Sequence, residues 1–508
     1  MELEEALREI ERLKAENESL RAELYAERAE KEKALLALLH EREKRKIAYA
    51  RQFLPRTERS SAVVINEAEE ILAEEARKPS PKGPRRRKFE GLDFERYVTE
   101  TRVLKPDSLE CPECGRALTK VGEKVRYQIE ADPVNVRVVK IVKETYKCPS
   151  CNKGDNRVYY PLSAEAFPGS PLTPSLAAYL AYHKYELGVP FHHLERHFSG
   201  TLGIPLSKQC MADWMAATAE RLTPIYERLR SDLLATPTKV VHADETTLTL
   251  SKRADPSRKK SYVFVYASSF YDERQIHVYE FNETRVIDPE SSYLRDFDGW
   301  VECDDYAGYD RLRKSRPKVR LQRCWAHARR KFADIVKGLP QKARPKSVAY
   351  AIMSEMDGLF EIEGRAHESK LFGKALIDVR KREEAPIIDR IKALVFGTEA
   401  KKGSALEGAL NYARKAWDDL LPYLSEPYLE LSNNLAERCV KPFVVARKVF
   451  QTSGSEAGAR HTTKLFSIIR TAIINGLDPY RYLEYAIENV GKKPIETILP
   501  YSKDLEIR

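Results

Sequence analysis

Three short stretches carry carboxylates beside small or polar residues: His242-Ala243-Asp244-Glu245-Thr246, Glu302-Cys303-Asp304-Asp305-Tyr306 and Asn433-Asn434-Leu435-Ala436-Glu437-Arg438. The first two end segments that read as strands, and the third lies in one that reads as a helix. Acids remote in sequence but able to converge are what a two-metal phosphoryl-transfer site requires, with two Mg²⁺ ions about 3.5–4 Å apart across the scissile phosphate. Magnesium takes hard oxygen ligands, and carboxylates supply them. One ion would activate a water or a 3′-hydroxyl, and the other would stabilise the leaving 3′-oxygen. Asp244 and Glu245 are neighbours on one strand and point to opposite faces, so one of the two reaches a central site. The same holds for Asp304 and Asp305, and position alone does not choose. Glu437 shares a helix face with Asn433 and Lys441. Arg438, Lys441, Arg447 and Lys448 follow the third acid and suit either phosphate binding or a solvated basic face.

A second chemistry is written in Cys111-Pro112-Glu113-Cys114 and Cys148-Pro149-Ser150-Cys151. Two CxxC knuckles on a β-ribbon bring four thiolates into a tetrahedron around one structural Zn²⁺. The alternative is redox chemistry or unliganded thiols. Between the knuckles Val125, Tyr127 and Ile129, then Val134, Val136 and Val138, alternate as hairpin strands do, with a break at Asp132-Pro133. Cys324 and His327, three apart at a helix start, offer a shared metal or site support; packing with a local hydrogen bond is the plainer reading.

The elements that must position these groups follow from periodicity. Leu3, Ile10, Asn17 and Leu24, with Ala6, Leu13 and Leu20, form heptads of a coiled coil that makes the chain a homo-oligomer. A helix packed on its own domain is the alternative. Residues 77–88, rich in proline and base, form a linker in which Arg85, Arg86 and Arg87 can lie along phosphates. Helical spacing runs from Pro174 to Leu187, Phe191 to Phe198 and Ser207 to Leu229, with breaks at Gly203 and Pro205 and Ser207 as an N-cap. This is either a helix-turn-helix, with Lys208 and Gln209 near the start of the recognition helix, or an ordinary bundle.

From Lys239 the texture turns to strands: Val240–Leu250, Tyr262–Ser268 and Gln275–Phe281, then a helix, Trp300–Asp304, a helix, Val319–Arg323 and a helix from Trp325. That order matches a ribonuclease-H-like layout. The predicted architecture is multidomain α+β. It comprises a coiled coil (1–50), a basic linker region (51–105), a zinc β-ribbon (106–160) and a helical, candidate helix-turn-helix region (161–235). A first part of the α/β core (236–338), an all-helical insertion (339–430), and the rest of the core with C-terminal helices (431–508) complete it.

Composition agrees. The 508 residues carry a net charge of +10, which favours an acidic partner such as nucleic acid. No apolar run is long enough to span a bilayer, and the Glu-rich start is no secretory signal. Eight cysteines are too few for a disulfide scaffold. A soluble intracellular protein is expected.

Taken together these residues resemble the transposases of the bacterial insertion-sequence-66 family, over nearly the whole chain. The resemblance is carried by the three acidic segments, by Tyr306-Ala307-Gly308-Tyr309, by Cys324-Trp325-Ala326-His327-Ala328-Arg329-Arg330-Lys331-Phe332 and by the stretch from Gly169 to Trp214. It implies Asp244, Asp304 and Glu437 as the catalytic, Mg²⁺-binding acids. Asp305 stands where many members carry glycine. It also implies a ribonuclease-H-like fold, cut-and-paste or copy-type transposition of double-stranded DNA, terminal inverted repeats as target, and small accessory proteins as partners. The alternative is a catalytically inactive DNA-binding protein derived from a transposase.

Overall fold

A computed structural model of the chain describes residues 94–131, 136–149, 159, 165–251, 260–450 and 452–507. The expected coiled coil, Arg85, Arg86, Arg87 and Cys151 lie outside these residues.

The first unit is a three-stranded ribbon. β1 (Val98–Leu104) runs parallel to β3 (Val136–Lys147), and β3 pairs antiparallel with β2 (Thr119–Ala131). The expected alternation is buried only near the base: Ile129 is fully covered, whereas Val125 is 38% exposed. The base joins the main core through Ile129, Ala131 and Val138. The tip keeps a small separate cluster of Cys111, Leu118, Tyr146 and Cys148.

Helices follow: α1 (Pro174–Ala181), α2 (Phe191–Arg196), α3 (Lys208–Arg221) and α4 (Thr223–Leu234). The first two continue as π-type turns over Tyr182–Glu186 and His197–Thr201. Ser207 does cap α3, its side chain accepting from the Cys210 amide. The helix expected from Ser207 to Leu229 is interrupted at Leu222, because Pro224 fits only the first turn of a new helix.

The central sheet has the order β6-β5-β4-β7-β8, where β4 is Val240–Leu250, β5 Ser261–Ser268, β6 His277–Asn282, β7 Gly299–Cys303 and β8 Val319–Arg323. β4, β5 and β6 form an antiparallel meander; β7 and β8 add in parallel on the other side of β4. β4 and β7 approach so closely that a Cβ on Gly299 would lie 2.3 Å from the Lys239 carbonyl oxygen. The helix expected between β6 and β7 is absent. Successive turns occupy that stretch, with Asp288 accepting from the Glu290 amide and the Ser291 hydroxyl. Such side chains offer the backbone a rival to helix.

Next come α5 (Ala307–Ser315), between β7 and β8, and α6 (Trp325–Gly338) after β8. A helical block follows: α7 (Val348–Glu368), α8 (Gly373–Val379), α9 (Ala385–Gly397) and α10 (Ala405–Leu420). This block and α6 share a second hydrophobic core around Trp325, Met356, Leu359 and Trp417. The chain returns in α11 (Asn434–Phe450), the two-residue β9 (Thr452–Ser453), α12 (Glu456–Ile474), α13 (Pro479–Asn489) and α14 (Ile495–Ile498). α12 covers β6, and α11 covers β4 and β5. No helix among the described residues is long and apolar enough to cross a membrane.

Candidate active site

β4 runs on past Asp244 to Leu250, so the first acid sits mid-strand. Its edge toward β7 is nevertheless interrupted. β7 pairs only with Val240–His242, and β9 pairs with Thr249 and Leu250. Two side chains reach carbonyls in the gap. Asn433 donates to the Ala243 carbonyl at 2.8 Å, and Arg447 donates to that of Thr247 and to the Thr247 hydroxyl at 2.7 Å. α11 is thereby held along the gap at both ends, with Glu437 facing it.

Asn433 is the hub of this clamp. Its side-chain oxygen lies 3.1 Å from His242 Nδ1, and its amide donates to Cys324 Sγ at 3.1 Å. His242 is fully buried, and burial lowers its pKa to about 4. Glu302 Oε2 stands 3.5 Å from the same ring, but burial raises the Glu302 pKa well above the ordinary range. His242 is therefore neutral near pH 7, and burial favours the protonated form of Glu302. Burial raises the Cys324 pKa to about 11, so the thiol stays protonated and accepts from Asn433. His327 Nε2 lies 3.5 Å from Glu437 Oε1.

The carboxylates crowd one another. Burial, then Glu245, then Asp304 and Glu437, raise the Asp244 pKa to about 7, against one opposing bond from the Glu245 amide. Burial and Asp304 likewise raise that of Glu245, and Arg285 opposes them. Arg285 Nε donates to Glu245 Oε1 at 2.7 Å. The Glu245 side chain is 3% exposed and that of Asp304 28%, so Glu245 is ion-paired and covered while Asp304 is reachable. Asp305 turns away. It meets Lys415 of α10 at 3.1 Å and lies 3.9 Å from Arg323. Arg323, 1% exposed, also donates to the Asp304 carbonyl and to Asp310. Asp304 Oδ1 accepts from the Tyr306 amide at 2.9 Å. The Tyr306 ring packs so tightly that a Cβ on Gly308 would sit 2.3 Å from it, which explains glycine there.

Asp244, His327, Arg330, Glu437 and Lys441 line an open cleft of about 380 Å³. Glu437 Oε1 and His327 Nδ1 are buried there without hydrogen-bond partners. Arg330 stands 3.6 Å from Glu437. An excess of buried negative charge with an unsatisfied carboxylate oxygen suits a hard divalent cation. Lys448 is exposed on α11, Arg438 is half-buried, and Arg447 is engaged with β4. Arg285 and Arg323 carried no signal in the sequence; Arg330 lay within a stretch whose other residues drew attention.

Residues 169–461, more than half of the chain, match the model described as "Transposase IS66 family". The chain belongs to that family. Residues 108–152 match the "zinc-finger binding domain of transposase IS66". Two proteins of Sinorhizobium fredii, both described as uncharacterized, are similar over most of their length. One, y4jD, is 29% identical over 79% of this chain and 79% of its own. The other, y4hP, is 25% identical over 94% of this chain and 85% of its own.

The IS66 zinc-finger segment has the geometry its name requires. The sulfurs of Cys111, Cys114 and Cys148 all lie within 4.8 Å of one another, with Cys114 and Cys148 3.8 Å apart. The Glu113 amide leads in drawing the Cys111 thiol down to about 6. Thiolates so placed hold zinc. Among the described residues this is the one trio of ligand atoms that close; the acids of the IS66 core stand further apart.

Proposed function

We propose that the chain is a DNA transposase that binds the terminal inverted repeats of an insertion sequence and cuts and joins DNA strands, with Asp244, Asp304 and Glu437 as the catalytic, Mg²⁺-holding acids. The observation that carries this is the crowding of Asp304, Glu437 and Glu245 on Asp244, in a family of transposases. The sheet order, an antiparallel meander extended by two parallel strands, supports a ribonuclease-H-like core.

The division of labour follows from the geometry. Asp244 from β4 and Glu437 from α11 line the cleft, and Asp304, just past the end of β7, is close enough to raise the Asp244 pKa. Arg285 engages Glu245, and Lys415 with Arg323 engages Asp305, so neither neighbour competes. Two Mg²⁺ ions, when bound, would polarise the phosphate and neutralise developing charge. Arg330 and Lys441 at the cleft, and Arg438 and Lys448 along α11, meet the DNA backbone, as do Arg85, Arg86 and Arg87. Lys208 and Gln209 at the start of α3 contact DNA beyond the cleft. The N-terminal heptads pair protomers, and accessory proteins assist.

The test is nicking of a plasmid that carries the element ends. Asp244→Ala retains end binding and loses Mg²⁺-dependent cleavage by about 10³-fold or more, the scale of a lost transition-state stabiliser. Cleavage at the wild-type rate would falsify the assignment. Equal inactivity of wild type and variant, with binding intact, would instead favour a DNA-binding protein without catalysis.

A further inference from the structure

A second cavity, of about 420 Å³, opens between α2, α3, α12, the end of α11 and β9, and Leu248 of β4 reaches it. Nothing above uses it. Its size falls in the range of small-molecule sites, about 300–1,000 Å³. Phe191 and Phe450 stand in its wall, both half-buried. The Lys184 ammonium lies 3.9 Å from the Phe191 ring centre and 5.6 Å from that of Phe450. Lys208 and Gln209 line another side. The lining carboxylate, Asp213, accepts from Gln209 at 2.9 Å.

An aromatic cage alone would suit a cationic ligand. Here an internal lysine already fills that role. What remains for a ligand is aromatic face next to positive charge, which matches a planar ring that carries an anion. Leu248 is four strand residues from Asp244, about 13 Å at 3.3 Å each. That is about four nucleotides of a stacked strand at 3.4 Å each.

We propose that this cavity receives an unpaired nucleotide of the DNA strand whose phosphate lies at the acid cluster. Its base stacks on Phe191 and Phe450, and its phosphate pairs with Lys184 and Lys208. The assignment rests on the transposase reading, and it names a feature of the substrate that the acids do not: a nucleotide drawn out of the duplex.

The experiment uses the full chain without divalent metal and three probes: a blunt duplex, the same duplex with a single-stranded thymidine tail, and the same with a tail of abasic sugar-phosphates. The two tails carry equal charge, so their ratio isolates the base. Wild type binds the thymidine tail about tenfold more tightly, the scale of base–aromatic stacking. Phe191→Ala and Phe450→Ala bring the ratio near one and leave the blunt duplex unaffected. Phe191→Leu, which keeps apolar bulk without a ring, does the same and guards against loss of folding. A ratio of one in wild type, or a ratio that survives all three substitutions, overturns the proposal. Free thymidine monophosphate should not displace the tail. Its saturable binding with an unchanged tail ratio would assign the cavity to a free nucleotide and also overturn the proposal. Cleavage is scored on the same preparation: a flat ratio with Asp244-dependent cleavage intact removes the cavity assignment alone.

Discussion

The knuckle and the acid cluster are both candidate metal centres, and they are built in opposite ways. Cys111 and Cys114 come from one turn, and Cys148 comes from the end of a strand in the same ribbon. Their ligand atoms are already close, and burial at the tip is small and local. Asp244, Asp304 and Glu437 come from three elements up to 193 positions apart, counted from 244 to 437. They are held by Asn433, Arg323 and Arg447 rather than by one another. Soft thiolates make a closed structural site from local spacing. Hard carboxylates make an open one, and its mutual repulsion is relieved when a cation enters.

The largest effect expected from this contrast is at the knuckle. Chelation of zinc, or Cys111→Ser, removes binding free energy on the order of 10 kcal/mol. The tip around Leu118 and Tyr146 should then lose amide protection while the base at Ile129 keeps it. Hydrogen exchange reads both, and loss of protection along the whole ribbon would show that the two halves are not independent.

Asp244 offers the opposite test, because removing its charge should stabilise the metal-free protein. In the folded chain it holds its proton to about pH 7, against 3.8 ordinarily. The contribution is therefore fully present below 3.8 and lost as pH rises through 7. Asp244→Asn should gain roughly 2–4 kcal/mol at pH 8 and nothing near pH 3. Saturating Mg²⁺ should erase or reverse the gain. Melting curves at the two pH values decide it, and a destabilised variant at pH 8 would contradict the crowding.

Asn433→Ala should lower cleavage about 10–100-fold, the usual cost of a lost partner behind a metal ligand. A shift in the Mg²⁺ concentration needed for half-maximal rate separates this from simple loss of fold. Smallest is Lys415→Ala. A surface ion pair contributes at most about 1 kcal/mol, so stability should hardly move; a large loss of cleavage would mean that Asp305 helps to place Asp304.

Much of the fold was legible. Val240–Leu250 and Val319–Arg323 have the expected bounds because buried β-rich runs and flanking breakers mark them. The acidic segments were visible because three carboxylates beside small or polar residues recur far apart in a chain whose strand and helix order could bring them together. Other features depended on distant partners. Asp305 is distinguished from Asp304 by Lys415, more than a hundred positions away, and Glu245 from Asp244 by Arg285. The helix expected before β7 failed because Asp288 and Ser291 bond locally. Lys208 and Gln209 stand at the start of α3 as expected, and the cavity they line there was not visible in the sequence.

α11 is fastened to β4 at its start by Asn433 and beyond its end by the β9 pairing. Asp244 and Glu437 therefore belong to one rigid bracket. Asp304 hangs from a different support, since its neighbour Asp305 is tied to α10 through Lys415. Should the three acids tighten on a metal, the β7–α5 corner, joined to β4 only over Val240–His242, is the part left to move. In that case a ligand that braces the helical block, to which Lys415 ties Asp305, would change how fast the jaws close.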